Sequence, residues 1–208
     1  MIRTEHREDK FPFAFVKYEP TKKQENLPLI IQLHGAGERG DGKDELSLVD
    51  VHGFPKIMKD EYPAIFLMPQ CPKDSFWAAR VESLARFIEQ LKAEYEIDED
   101  RVYLTGLSMG GYGTWYTAMA YPETFAAIAP VCGGGMAWNA KVLTMPVWAF
   151  HGEDDTAVSV TQSDEMVEAI RKKEGNVKYT RMPNVSHNVW IHAYNDELYN
   201  WLLSQKRG

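Results

Sequence analysis

The chain has 208 residues, of which 44% are hydrophobic and 25% carry a charge. The length favours a single domain spanning residues 1–208, because α/β units of about 200 residues commonly fold as one. The composition is that of a globular protein and argues against a disordered chain. The net charge of −7 argues against a surface that binds nucleic acid or an anionic membrane, so we expect neither partner.

The sequence shows no signal peptide or membrane span, and it contains two cysteines. The first ten residues are charged at most positions and contain no apolar stretch that would form the core of a signal peptide. No run of about 18 apolar residues predicts a membrane span. We expect a cytoplasmic protein, or a secreted one if a signal peptide has been removed. Cys71 and Cys132 lack the spacing of a metal site or a disulfide framework, so we expect buried free thiols, no metal and no other cofactor.

Short apolar runs alternate along the chain with segments of helical periodicity. The segments predicted as strands are residues 13–18, 29–33, 64–68, 102–105, 125–131, 147–150 and 177–182. The segments predicted as helices are residues 81–91, 109–121, 163–173 and 194–203. Such alternation predicts the α/β class, with a mostly parallel central sheet and helices on both of its faces. Ligands then bind beyond the carboxyl ends of the strands.

A G-x-S-x-G pattern occupies residues 106–110, between a predicted strand and a predicted helix. This pattern is typical of a sharp turn that lifts a serine side chain above the sheet. Larger residues at its two flanking positions would collide, which is why both are glycine. The helix that follows directs its N-terminus at the serine and favours negative charge there. We predict that Ser108 is a catalytic nucleophile.

A serine hydroxyl needs a base to take its proton, and the base needs an orienting carboxylate. After a nucleophile of this kind, the acid precedes the histidine in the chain. Three histidines follow the serine: His151 closes a predicted strand, and His192 would have to reach back. His187 follows the strand 177–182 after a short loop, so it is the predicted base.

The carboxylate is expected in the segment 151–158, after the strand 147–150, where three acids compete. Asp155 is far enough past the strand to turn back toward the histidine. Glu153 and Asp154 more naturally face solvent or cap the loop. The predicted catalytic triad is therefore Ser108, Asp155 and His187.

Acyl transfer also requires backbone N–H donors for the oxyanion, which together form the oxyanion hole. Met109 supplies one donor from the helix N-terminus. The other is expected from the glycine-containing loop 34–37, where we select Ala36.

Three tryptophans follow predicted strands and lie on the same side as the triad, namely Trp77, Trp138 and Trp190. Their flat faces are predicted to bind substrate by stacking on a sugar or a phenolic acyl group. About a dozen residues, 132–144, separate the predicted strands 125–131 and 147–150. They are too few for a helical cap domain, so we expect an open site that prefers short acyl groups.

Taken together, these segments resemble the carboxylesterase-type α/β-hydrolases, in particular small esterases of the phospholipase/carboxylesterase family that include predicted peptidases. The segments that carry the resemblance are residues 33–40, 69–72, 104–111, 132–135, 151–155, 186–187 and 197–203. The resemblance implies an α/β-hydrolase fold and a serine esterase acting on esters such as acetyl and feruloyl groups of plant polysaccharides. It also places the acid at Asp155. Members often carry an aspartate after the catalytic histidine, whereas this chain has Asn188.

The expected function is hydrolysis of a small-molecule or carbohydrate ester through an acyl-enzyme intermediate. A peptidase with the same triad is the alternative within enzymes, although such peptidases usually add a domain for which 208 residues leave no room. A non-catalytic binding protein is a third reading, and a lost serine or histidine would favour it. The sequence makes no prediction about the oligomeric state.

Overall fold

The fold is given by a computed structural model, which describes residues 1–7 and 9–208. Its strands are β1 (Ile2–His6), β2 (Phe15–Glu19), β3 (Leu27–Leu33), β4 (Ile65–Pro69), β5 (Ile97–Leu107), β6 (Ala127–Val131), β7 (Val147–Gly152) and β8 (Val177–Met182). They form one sheet in the order β1-β2-β4-β3-β5-β6-β7-β8. The strands from β3 to β8 pair in parallel, while β2 is antiparallel to both β1 and β4. The carboxyl ends of six strands therefore share one edge of the sheet, as predicted.

The α-helices are α1 (Val81–Glu94), α2 (Met109–Ala120), α3 (Thr161–Arg171), α4 (Trp190–Ala193) and α5 (Asp196–Leu203). Side chains alternate across each strand, so β3 sends Leu29 and Ile31 into one core cluster and Ile30 into the other. Helices α1, α2 and α3 cover the first cluster, and α4 and α5 cover the second. The predicted α/β class, with helices on both faces, is confirmed.

Some predicted elements differ from the structure. Strand β5 begins at Ile97 rather than at residue 102. The polar segment Ile2–His6 forms β1, an edge strand that a search for apolar runs does not detect. As a result β2 is not an edge strand but lies between β1 and β4. The helix predicted over 194–203 begins two residues later, at Asp196. The preceding Asn195 has an extended backbone, and its side chain accepts a hydrogen bond from the Leu198 N–H. Asparagine commonly begins helices in this way, and so α5 is separate from α4.

The connection between β6 and β7 is short, as predicted. It contains one 3-10 helix, Ala137–Val142, and builds no cap domain over the sheet. Cys71 and Cys132 are free and buried, as expected. They follow β4 and β6, which are three strand spacings apart, and neighbouring strands lie about 4.8 Å apart. That separation is too large for a disulfide.

A search of the described residues finds no helix whose length and apolar character would suit it to crossing a bilayer.

Candidate active site

Ser108 lies between β5 and α2, at the carboxyl edge of the sheet. Its backbone adopts φ 54° and ψ −116°, a strained conformation for a residue with a side chain. The Ser108 N–H donates to the carbonyl of Val131 at 2.9 Å, which ties the turn to β6. A Cβ atom on Gly110 would overlap the Leu33 carbonyl, and one on Gly106 would overlap the Gly110 carbonyl. The two glycines therefore permit the turn that presents the serine.

The structure brings the three predicted triad residues together in one chain of hydrogen bonds. His187 Nε2 lies 2.8 Å from Ser108 Oγ, and His187 Nδ1 lies 2.7 Å from Asp155 Oδ2. A carboxylate only accepts, so Nδ1 carries the hydrogen that it donates to Asp155. The Nε2 lone pair then faces the serine hydroxyl, which is the arrangement a general base requires. His192 is exposed and takes no part in these hydrogen bonds.

The carboxylate of Asp155 is held ionised by its donors. Burial raises the pKa of Asp155. Hydrogen bonds from His187 and from the N–H groups of Val158 and Ala157 together lower it by more, so the net shift of the pKa is downward. The two N–H groups both bind Oδ1 at 2.9 Å and leave Oδ2 to the histidine. Glu153 and Asp154 are exposed, as the sequence suggested.

A second histidine supports the acid. His151 is buried, with Nε2 donating to the Val158 carbonyl at 2.9 Å and lying 3.3 Å from Asp155 Oδ2. Its Nδ1 lies 2.7 Å from Ser163 Oγ on α3. Burial lowers the pKa of His151. The sequence suggested a structural residue at a strand end, and the structure adds that it fixes the loop holding the carboxylate.

Cys132, Asp155 and His187 each have a potential metal-ligand atom within 4.8 Å of the others. Burial, the largest cause, raises the pKa of the Cys132 thiol, which disfavours the thiolate that a metal needs. The other two groups already share the 2.7 Å hydrogen bond described above. The donor set therefore suits an acid–base pair better than a metal ion.

The two residues predicted to supply oxyanion donors both begin helices. Ala36 is the first residue of the 3-10 helix Ala36–Glu38, directly after β3, and Met109 is the first residue of α2. N–H groups in the first turn of a helix have no acceptor within it. Because β3 and β5 are neighbours in the sheet, both amides lie at the edge that carries the serine. Their role as an oxyanion hole stays a prediction.

His34 anchors the loop that carries Ala36. Its buried ring donates from Nδ1 to the Gly35 carbonyl at 2.6 Å, and Nε2 accepts from the Cys71 N–H at 3.0 Å. The indole N–H of Trp77 donates to the His34 carbonyl at 3.0 Å. Burial above all lowers the pKa of His34 to about 4, so the ring is neutral at neutral pH.

The titration of His34 is expected to make stability depend on pH. Because its pKa is lower in the folded chain, its contribution is present above about pH 6.5 and is lost as the pH falls through about 4. The protonation of His34 alone should lower the free energy of unfolding by on the order of 3 kcal/mol between about pH 6.5 and pH 4. Urea unfolding of wild type and His34→Gln at several pH values measures it. The variant should show a shallower pH dependence, and equal slopes would contradict this assignment.

The three predicted substrate-binding tryptophans have different surroundings. Trp77 is fully buried and packs on Phe13 and His34, so the prediction that it contacts substrate is wrong. Trp138 is 78% exposed on the 3-10 helix Ala137–Val142, and its role stays a prediction. The ring of Trp190 lies 5.3 Å from that of His187, nearly perpendicular to it, and so borders the predicted base.

An open hollow of about 430 Å³ adjoins the serine, and its other lining residues are Phe76, Ala78, Met109, Tyr112 and Tyr116. The sequence prediction did not include its aromatic residues. Tyr112 and Tyr116 follow Ser108 at steps of four along α2, so helical spacing was a signal for them. Phe76 is 56% exposed and directly precedes the buried Trp77, so Phe76 is the one of these two neighbours that lines the hollow. A larger hollow, about 710 Å³, lies between α1 and the end of α2, away from the serine.

Comparison with known proteins gives consistent matches. The family model described as Phospholipase/Carboxylesterase matches residues 68–198. The chain is 30% identical over 161 residues to the bifunctional acetylxylan esterase/xylanase XynS20E of Neocallimastix patriciarum, covering 74% of this chain and 23% of that protein. It is 32% identical over 127 residues to feruloyl esterase B of Neurospora crassa, covering 56% of this chain and 42% of that protein. The chain thus spans less than half the length of these relatives.

The fold is shared with solved structures. A structure described as a thermostable esterase superposes with a TM-score of 0.88 at 32% identity, covering 99% of this chain and 63% of that one. Together with the family match, this superposition confirms the α/β-hydrolase fold expected from the resemblance.

Proposed function

This chain belongs to the phospholipase/carboxylesterase family, and from that premise we propose that it is a serine esterase that hydrolyses carboxylic esters through an acyl-enzyme intermediate. The observation that carries the proposal is the hydrogen-bond chain from Ser108 through His187 to Asp155, with distances of 2.8 and 2.7 Å. The backbone N–H groups of Ala36 and Met109 support it, since each is the first residue of a helix at the same edge of the sheet as the serine.

Acylation begins when Ser108 Oγ attacks the ester carbonyl carbon and its proton passes to His187 Nε2. The carbonyl oxygen becomes an oxyanion, which accepts hydrogen bonds from the N–H groups of Ala36 and Met109. As the intermediate collapses, the C–O bond to the alcohol breaks and the imidazolium returns its proton to the leaving oxygen. The alcohol departs, and the acyl group stays on the serine.

Deacylation repeats these proton transfers with water as the nucleophile. His187 Nε2 takes a proton from the water, and the resulting hydroxide attacks the acyl carbon. The intermediate then releases the carboxylic acid while Ser108 Oγ regains the proton. In both halves the carboxylate of Asp155 holds the imidazole in one tautomer and stabilises the imidazolium.

We propose short or aromatic acyl groups on carbohydrate-linked or small-molecule alcohols as substrates. The names of two relatives, an acetylxylan esterase and a feruloyl esterase, support this class. The open hollow lined by Phe76, Tyr112 and Tyr116 offers flat apolar faces to an acyl group. Trp138 and Trp190 are the proposed additional contacts.

A substrate panel tests the proposed function. Wild-type protein is given p-nitrophenyl acetate, methyl ferulate, acetylated xylo-oligosaccharides and an aminoacyl p-nitroanilide at matched concentrations. We expect hydrolysis of the esters and at least about a hundredfold lower kcat/KM for the anilide, since amides are the more resistant bonds. A preference for the anilide would favour a peptidase, and inactivity on all four would favour a binding protein.

Acyl-chain length gives a separate expectation. The β6–β7 connection builds no cap, so most of a long acyl chain would stay in water. We expect kcat/KM for p-nitrophenyl acetate or butyrate to exceed that for the palmitate by at least about tenfold. No jump in rate should occur when substrate passes its solubility limit. A preference for palmitate, or activation at the interface, would indicate a lipase.

We also propose that the chain acts in the cytoplasm without a nucleic-acid or membrane partner. The net charge of −7 supports the absence of a nucleic-acid or anionic-membrane partner. One relative from Arthroderma benhamiae is named as a secreted protein, so fractionation of cells and medium is the deciding measurement.

A further inference from the structure

The direction of proton transfer locates the two halves of an ester in this site. The leaving alcohol oxygen must take its proton from His187 Nε2, so the alcohol lies on the His187 side of the serine. The aromatic hollow that adjoins Ser108 lies on a different side of the serine. Met109 and Tyr116 of the hollow pack against the core cluster beneath α2, whereas Trp190 packs against the cluster on the opposite face of the sheet.

A row of side chains leads away from His187 on the alcohol side. The ring of Trp190 lies 5.3 Å from that of His187, and the ring of His52 lies 5.5 Å from Trp190. His52 Nε2 is 3.8 Å from Glu38 Oε1. Glu38 ends the 3-10 helix that begins at Ala36, so the row runs from the predicted base to the proposed oxyanion loop.

Glu38 has an unused hydrogen-bond acceptor at this position. Its side chain is 14% exposed, and Oε2 is buried with no hydrogen-bond partner among the described residues. The nearby Nδ1 of His34 lies 3.9 Å away and already donates to the Gly35 carbonyl. A buried oxygen without a donor is costly. The other oxygen, Oε1, faces His52 Nε2 at 3.8 Å, beyond hydrogen-bond distance, and is the oxygen that can accept from an O–H group of a ligand.

We propose that Glu38, His52 and Trp190 form a subsite for the alcohol half of the substrate, and that it selects alcohols bearing free hydroxyl groups, such as sugars and polyols. The carboxylate of Glu38 accepts a hydrogen bond from a hydroxyl of the alcohol. Trp190 and His52 offer ring faces to its C–H groups. The guanidinium of Arg39 donates to the Ala36 carbonyl at 3.0 Å and places a positive charge on this loop, which disfavours an ammonium group relative to a neutral hydroxyl. This subsite rests on the proposed esterase function.

The test compares two esters that differ only in hydroxyl groups, 1-butyrylglycerol and propyl butyrate. Wild-type protein is expected to have the higher kcat/KM for the glycerol ester. In Glu38→Met, which keeps the length of the side chain but removes the acceptor, the ratio of the two kcat/KM values should fall by about tenfold, the usual effect of losing a hydrogen bond to a charged group. Any displacement of the oxyanion loop lowers kcat/KM for both esters alike, so the ratio isolates the contact with the hydroxyl groups.

Two further variants complete the design. His52→Leu changes a side chain that is 42% exposed, so the variant should fold, and it should lower the same ratio by about threefold. Glu82→Met removes an exposed glutamate of α1 and should leave the ratio unchanged. The subsite would be overturned if Glu38→Met lowered kcat/KM equally for the two esters. It would also be overturned if neither Glu38→Met nor His52→Leu changed the ratio of the two kcat/KM values.

Butyrylcholine serves as the third substrate. If Glu38→Met lowers its kcat/KM more than that of the glycerol ester, the subsite binds ammonium groups and the proposed hydroxyl class is wrong. If the wild-type protein hydrolyses none of the three butyrates, the esterase proposal itself fails, and the subsite fails with it. A lower ratio of the glycerol ester to propyl butyrate, with propyl butyrate still hydrolysed, is the result that supports the subsite.

Discussion

Replacing Ser108 with alanine is expected to lower kcat for ester hydrolysis by at least about three orders of magnitude. The substitution removes the oxygen that forms the acyl-enzyme. The nearby Cys132 thiol is a poor replacement, because burial raises its pKa and disfavours the thiolate. His187 Nε2, at 2.8 Å from Ser108 Oγ, would be left without a proton to take. The measurement is the initial rate on p-nitrophenyl acetate under saturating substrate.

Ser47→Ala is a suitable control for this experiment, since Ser47 is exposed and lies in the 3-10 helix Leu46–Asp50. It should retain the wild-type kcat. Circular dichroism should show Ser108→Ala to be folded, since alanine has the same backbone requirements as serine at the strained turn. A folded Ser108→Ala protein that keeps more than about a tenth of wild-type activity would remove the serine from the mechanism.

Replacing Asp155 with asparagine is expected to lower kcat by about three to four orders of magnitude. The amide has an N–H₂ group where the carboxylate accepted the hydrogen of His187 Nδ1 at 2.7 Å. The imidazole then favours the tautomer with its hydrogen on Nε2, which cannot take the serine proton. The positive charge that develops on the ring also loses its partner. Rates on p-nitrophenyl acetate from pH 5 to 9 measure the effect.

Asp154→Asn provides a matched control, because it makes the same chemical change one residue earlier. Asp154 is exposed, and its backbone N–H donates to the Val185 carbonyl, a contact that the substitution keeps. Its effect on kcat should be less than about threefold. If Asp154→Asn is the severe variant and Asp155→Asn the mild one, the acid has been assigned to the wrong residue.

The core of the candidate site could be predicted because its signals are local. The turn around Ser108 needs glycines at fixed positions on both sides, and that requirement is written into five consecutive residues. The order of acid and base along the chain then limits the remaining candidates. Asp155 and His187 follow β7 and β8, and parallel strands bring their carboxyl ends to one edge. The sequence pattern therefore places them near the serine.

Features that depend on packing across the sheet could not be predicted in the same way. Phe76 and Trp77 are both aromatic and adjacent, and only the direction of the chain after β4 exposes the first and buries the second. The roles of His52 and Glu38 depend on a contact between two loops and on the position of Trp190. The edge strand β1 has no apolar run because its side chains face mostly solvent. These outcomes depend on tertiary contacts between distant segments.

The central claim is that Ser108 is an activated nucleophile, and covalent labelling tests it most directly. Wild-type protein and Ser108→Ala are incubated with a fluorophosphonate, digested, and analysed by mass spectrometry of the peptides. A serine activated by the 2.8 Å contact with His187 should form one adduct per chain, on the peptide containing Ser108, and Ser108→Ala should form none. An adduct on another residue, or labelling that persists in Ser108→Ala, would contradict the claim.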